Sequence, residues 1–258
     1  MVSPREELTQ LLITLNLTAM VDAAEGMALR AAKESLSHES YLLELARIEH
    51  SARVTRKIER LRKQSELQAG KTFQTLDLNR FDAQTRLQLD RLRSGCFLKD
   101  AVNVVAVGRP GAGKSHLACA LGYALIELGH PVLFVSTANL MQKLLVAKRD
   151  LKLPQALAKL DRYECLILDD IGYVQHDRDE MEVLFTLLAE RYERKSTIIT
   201  TNLVFSAWER IFKDPMTTLA AIDRVVHHSV VLDLMAVESY RAKTAKASKK
   251  DSAQMNVN

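Results

Sequence analysis

The chain has 258 residues, 47% of them hydrophobic and 5% aromatic, with a formal net charge of +4. That is enough apolar material for one large globular domain, or for an α/β domain with a smaller appendage. No apolar run approaches the roughly 20 residues of a membrane span, and the start, Met1 to Leu8, carries Glu6 and Glu7 where a signal peptide would have an apolar core. A cytoplasmic protein with no membrane partner is expected. The cysteines, Cys96, Cys119 and Cys165, lack metal-ligand spacing and read as reduced, structural thiols.

Residues 1–68 read as an all-helical N-terminal domain for assembly or partner binding. Ser3, Pro4 and Glu6 form a capping-box pattern with proline at the first helical position. Leu8, Leu11, Leu12 and Leu15 then make an apolar stripe. A second helix is expected from Ala19 to Ser35. A third starts near Ser37 and extends toward Leu67, with Tyr41, Leu42, Leu45, Ile48, Ala52, Ile58 and Leu61 as its stripe. The second half of this helix carries Arg53, Arg56, Lys57, Arg60, Arg62 and Lys63. Such a run is either a solvated helix face or a footprint on the phosphate backbone of DNA, and the sequence leaves both readings open.

Residues 69–82 read as a linker into a second domain that extends to 245, with a flexible basic tail over 246–258. A short helix over Ala83–Arg93 precedes the first strand, and the nucleotide base is expected against this stretch.

Val102 to Val107 is a buried-type apolar run that meets Gly108, Arg109, Pro110, Gly111, Ala112, Gly113, Lys114 and Ser115, followed by a helix from His116. This is the phosphate-binding loop pattern in the strand-to-helix context it requires. Its glycines let backbone N–H groups close on phosphate oxygens, and the positive end of the helix attracts the anion. Lys114 can reach the β- and γ-phosphates, and the Ser115 hydroxyl can hold Mg²⁺.

Further strands are expected at Pro131–Ser136, Glu164–Ile171, Thr197–Asn202 and Ser229–Leu234, with helical pieces at Ala138–Arg149, Pro154–Leu160 and Glu180–Lys195 between them. Alternating strands and helices imply a five-stranded parallel sheet covered on both faces. The two pieces after the second strand carry Lys143, Lys148, Arg149, Lys152 and Lys159.

Asp169 and Asp170 stand at the carboxyl end of an apolar strand, where ligand sites of parallel sheets lie. Asp169 would orient Mg²⁺, and Asp170 would polarise the water that attacks the γ-phosphate. Asn202 suits a sensor of that phosphate or water, which requires its strand to lie between the other two site strands. Arg224, beside Asp223, is the arginine-finger candidate, and Arg241 could reach the phosphates from its own subunit. His227 and His228 have no matching thiols or carboxylates and read as solvated or core histidines, and Trp208 as packing beneath the segment after the fourth strand.

Four stretches together resemble the IstB/DnaC branch of the AAA+ ATPases. They are the loop from Gly108 to His116, the strand end from Leu166 to Gly172, the strand from Ser196 to Leu203, and the segment from Ala221 to Ser229. The likeness is greatest to IstB, the transposition helper encoded beside the transposase of bacterial insertion sequences. The resemblance implies an AAA+ module without a multi-helix lid, binding ATP and Mg²⁺ at the interface of a homo-oligomer. It implies assembly on double-stranded DNA and stimulation of a cognate transposase. It also implies that the insertion after the second strand works near DNA, which places Lys143, Lys148, Arg149 and Lys152 beside Arg53, Arg56, Lys57 and Arg60 as DNA-contact candidates. A DnaC-like loader of a replicative helicase is the alternative, and a P-loop small-molecule kinase is a more distant one.

Overall fold

The computed structural model describes residues 3–172, 178–210 and 225–239. The chain divides into two compact units, residues 1–60 and 61–258.

The first unit comprises α1 (Pro4–Thr14), α2 (Thr18–Glu34) and most of α3 (His38–Gln64). The capping box forms as its sequence dictates: Glu6 N–H donates to Ser3 Oγ, and Ser3 N–H donates to the Glu6 carboxylate. The leucine stripe of α1 does not become core. Leu8, Leu11 and Leu15 are 53%, 54% and 62% exposed, and Leu42 of α3 is equally open, whereas Leu45 is buried. A unit of about 60 residues has too little mass to cover every apolar face it carries.

The junction of α2 and α3 rests on one carboxylate. Leu17, which opens α2, offers no side-chain cap. Glu49, from the middle of α3, supplies it instead, accepting from Ala19 N–H at 2.8 Å and Met20 N–H at 3.3 Å. Its other oxygen accepts from Arg53 and Arg56, each at 2.9 Å. Arg53 also donates to the Asn16 carbonyl and Arg56 to Thr18 Oγ1. Arg53 and Arg56 thus join helix ends while their side chains stay about half exposed, at 52% and 50%. Lys57 and Arg60 stand exposed.

Burial pushes the Glu49 carboxyl up, but Arg53, the two amides and Arg56 outweigh it, and the group ends below its ordinary value. Its contribution to stability is therefore complete above the unfolded carboxyl value of 4.5 and fades as pH falls through the lowered folded one. Glu49→Gln is expected to lower the melting temperature at neutral pH and to flatten this acid limb, read by circular dichroism melts across the acid range.

The last turn of α3 belongs to the second unit. Leu61 and Ser65 are buried, and the Ser65 carbonyl accepts from Phe134 N–H at 2.7 Å. That bond explains why the division falls after residue 60, earlier than the boundary at 68 expected from composition.

The second unit is a five-stranded sheet in the order β2-β3-β4-β1-β5, with β1 Asn103–Gly108, β2 Val132–Ser136, β3 Cys165–Ile171, β4 Ser196–Thr201 and β5 Ser229–Leu234. Every pairing is parallel. All positions of β1 and β4 are buried, as a sheet covered on both faces requires. Helices α4 (Ala83–Arg93), α5 (Lys114–Glu127), α6 (Thr137–Arg149), α7 (Leu153–Leu160) and α8 (Arg178–Arg191) complete the unit. One core cluster packs β3, β4, α6 and α8 around Met141, Leu168, Leu184 and Trp208. Trp208 is fully buried after β4, where packing was expected.

Helix α8 ends before Lys195, and Arg191, buried at its end, donates to the carbonyls of Tyr163 and Ser196 and ties the starts of β3 and β4 together. Cys119 and Cys165 are buried free thiols, and burial pushes Cys165 up to about 12. The rings of His227 and His228 meet edge to face, and among the described residues no cluster of histidine, cysteine and carboxylate could hold a metal by itself.

Candidate nucleotide site

Between β1 and α5 the backbone turns through Gly111 at φ +84° and Gly113 at φ +100°, conformations that side chains with a Cβ rarely adopt. Two of the loop glycines are also demanded by what lies over them. A Cβ on Gly108 would fall 2.8 Å from Leu234 Cβ, and one on Gly111 would overlap Ser239 Oγ. The chain leaving β5 therefore runs along the loop. Lys114 is buried, with its ammonium donating to the carbonyls of Gly108 at 2.8 Å and Arg109 at 3.2 Å.

This loop forms one wall of a cleft of about 590 Å³, a volume suited to a nucleotide. Pro110, Gly111, Gly113, Lys114, Ser115, His116, Asp170 and Asn202, all singled out in the sequence, line it together. Ala112 is fully buried behind the loop. Arg224 and Arg241 lie outside the described residues.

The strand order puts β4 between β1 and β3, as the role of Asn202 required. Asn202 follows β4 directly, and its Oδ1 is buried without a hydrogen-bond partner among the described residues. An amide oxygen in that state accepts, so the complement it fits is an O–H or N–H donor delivered from the cleft.

The two aspartates are set apart by a register shift between Leu168 and Ile171 in the β3/β4 pairing. Asp170 takes a left-handed backbone conformation, φ +64°, and is exposed to the cleft. A bulge of this kind re-aims side chains beside a site. Thr200, fully buried on β4, joins both acids: its hydroxyl donates to Asp169 Oδ1 at 2.7 Å and accepts from Asp170 N–H at 2.8 Å. Thr137 Oγ1 fixes the Asp169 carbonyl from the start of α6. The Asp169 carboxylate sits behind the lining, held by Thr200. Threonine in a strand carries no local signal of such a role, and only the bulged register places it.

The opposite wall comes from the stretch read in the sequence as a linker. Lys71, Thr75, Leu76, Asp77 and Arg80 line the cleft, so the segment before α4, rather than α4 itself, forms this wall. His116 anchors this segment: its Nε2 lies 3.1 Å from both Thr75 Oγ1 and the Thr72 carbonyl oxygen. Desolvation pushes the imidazole below its ordinary value, the Thr72 carbonyl pulls it back up, and Lys71 lowers it further. At neutral pH the ring is uncharged and acts as a staple between α5 and the segment over residues 71–77.

The pattern of the IstB-like ATP binding protein family matches residues 10–248. The chain belongs to this family. It is 43% identical over 222 residues to an insertion-sequence ATP-binding protein of Sinorhizobium fredii, y4iQ/y4nD/y4sD, covering 86% of this chain and 74% of that one. To the ATP-binding protein of insertion sequence IS21 from Pseudomonas aeruginosa it is 35% identical, covering 92% and 89%. Among solved structures it resembles the DnaC helicase loader, with TM-score 0.51 and 24% identity over 58% of this chain and 88% of that one. AMPPCP-bound DnaA from Aquifex aeolicus gives TM-score 0.56 at 15% identity, over 72% and 57%. These likenesses show the AAA+ P-loop fold.

The IstB-like chain is an ATPase. Its cleft offers what phosphoryl transfer needs: the amides of the α5 N-terminus, a buried lysine, an acid on a re-aimed strand end and an unsatisfied amide oxygen.

Proposed function

We propose that this IstB-like ATPase assembles on double-stranded DNA in its ATP-bound form and stimulates the transposase of its insertion sequence. The observation that carries the DNA part is the turn between α6 and α7. Residues 137–162 hold Lys143, Lys148, Arg149, Lys152, Lys159 and Arg162 against Asp150 and Asp161. Lys143, Arg149 and Lys152 are exposed. Lys148 is drawn onto α8 by Glu182 at 2.9 Å and Asp179 at 3.4 Å, which offsets its charge, so it holds the insertion in place while the other three meet phosphates. Lys57 and Arg60 of α3 are exposed cations on the first unit.

In the site, Lys114 would neutralise the transferring phosphate and Asn202 Oδ1 would accept from the attacking water, with Asp170 as the base toward it. Ser115 and Asp169 would hold Mg²⁺, which supplies charge neutralisation between the phosphates. The residues fit that ion: a hydroxyl at the helix start and a carboxylate already fixed at one oxygen by Thr200. Arg224 of a neighbouring protomer would complete the site, which makes turnover dependent on assembly. A helicase loader shares this core and differs in its partner; the insertion-sequence relatives favour the transposase.

The test is duplex binding against salt, with ATP, ADP or no nucleotide. ATP is expected to give the tightest complex. Replacing Lys143, Arg149 and Lys152 by alanine is expected to lower the slope of log affinity against log salt by about one for each phosphate no longer neutralised, up to about three. Duplex affinity that ignores both salt and nucleotide would overturn the reading.

A further inference from the structure

The sequence assigns no part to Arg80, which lies in the stretch that reads as a linker. The structure makes that stretch a platform. Leu76 and Phe81 are buried on either side of a single helical turn over Leu78–Arg80. The Asp77 carboxylate caps this turn, accepting from Asn79 N–H at 3.1 Å, and Asp82 starts α4 immediately after by accepting from Thr85 N–H at 2.6 Å. A surface arginine on a loop loses most of its potential binding energy to side-chain and backbone entropy. Here the backbone is fixed from both ends, so the side chain starts from a set position.

That position is the nucleotide cleft. Arg80 is one of its lining residues, and its Nη1 lies 3.7 Å from the point a Cβ on Gly113 would occupy. Gly113 is the cap residue of α5, where amide groups converge on an anion. A guanidinium within that distance of a helix N-terminus stands beside the place a phosphate group takes. The other end of the same guanidinium reaches the chain after β5: Arg80 Nη2 donates to the Glu238 carbonyl. The next residue, Ser239, is the one that crosses over Gly111. Asp233 Oδ1 accepts from Met235 N–H, and the Leu234 carbonyl accepts from Val237 N–H, which turns the chain from β5 toward the loop.

We propose that Arg80 is a nucleotide-contacting residue, donating in cis to a phosphate oxygen near the α5 N-terminus and tying the bound nucleotide to the chain segment over the phosphate loop. The ligand class is a nucleoside di- or triphosphate, because the contact is made to the phosphates that the helix terminus holds and not to the terminal group alone. One cation then faces the phosphates from within the loop, Lys114, and a second faces them from the segment before α4. Occupancy of the cleft and the position of residues 235–239 become linked through one side chain.

The experiment is equilibrium titration calorimetry of Arg80→Ala and Arg80→Lys with ATP and with ADP, beside steady-state turnover. Arg80→Ala is expected to weaken ATP and ADP alike by about tenfold, the scale of one charge-assisted hydrogen bond. Arg80→Lys is expected to recover part of the affinity, since it restores charge without the fork. Unchanged affinity for both nucleotides in Arg80→Ala would overturn the proposal. So would a fall in turnover with affinity intact, which would make Arg80 a positioning residue for the segment alone. A loss confined to ATP would equally overturn it, by placing the contact on the terminal phosphate. A circular dichroism melt of each variant confirms that the loss is measured on folded protein.

Discussion

Lys114→Ala is expected to reduce ATP turnover by about a thousandfold or more and to weaken ATP binding by about two orders of magnitude. The ammonium is buried and seated on the carbonyls of Gly108 and Arg109. It therefore begins within the loop, close to where phosphate charge concentrates, in surroundings that screen charge poorly. Removing one preorganised donor from such a site costs about a hundred- to a thousandfold in rate, and a full positive charge that also binds the ground state costs more. The fold is expected to survive, because the loop is fixed by glycine geometry and by Leu234 and Ser239 above it. Fluorescent-nucleotide titration and a coupled ATPase assay check both figures. Turnover within tenfold of the parent would remove Lys114 from the mechanism, and with it the physical reason for the loop.

Legibility in the sequence follows the range of the interactions. The phosphate loop is a local pattern, and strand, glycines and helix follow one another without a gap, so residues 108–116 were readable from the chain alone. The position of β4 was inferable from chemistry: a polar residue at its end has a task only if the strand lies between β1 and β3, and it does. Capping by Ser3 and Glu6 is equally local and formed as read. What escaped was made by residues distant in sequence. Glu49 caps a helix whose start lies 30 residues before it. That Arg53 and Arg56 also hold helix ends becomes visible only when that carboxylate is placed between them. Arg80 looks like linker composition until it meets Glu238, 158 positions away. The leucine stripe of α1 marks a helix whose apolar face stays largely exposed, because periodicity states which residues share a face and not whether anything covers it.

Thr200 shows the same limit at the centre of the site, and Thr200→Val carries the second large effect. The substitution keeps shape and β-branching, so packing on fully buried β4 is conserved. It deletes one hydroxyl that serves two groups, the donor to Asp169 Oδ1 at 2.7 Å and the acceptor from Asp170 N–H at 2.8 Å. Asp169 then loses the bond that fixes its carboxylate. The Asp170 amide, at a left-handed residue beside a register shift, loses what holds it there. Leaving a part-buried donor and a charged acceptor unpaired costs about 2–3 kcal/mol. If that cost falls on the arrangement needed for phosphoryl transfer, turnover drops by about thirty- to a hundred-and-sixtyfold. ATP affinity should change far less, because the phosphate loop is not touched. Thr200→Ser separates chemistry from packing: it removes a methyl, keeps the hydroxyl, and should turn over within a few fold of the parent. A Thr200→Val protein with normal turnover would mean that the two acids hold their geometry without the strand between them, and the bulge in β3 would then be sufficient by itself. A Thr200→Ser protein as slow as the valine variant would place the effect in the methyl group and the packing of β4 rather than in the shared hydroxyl.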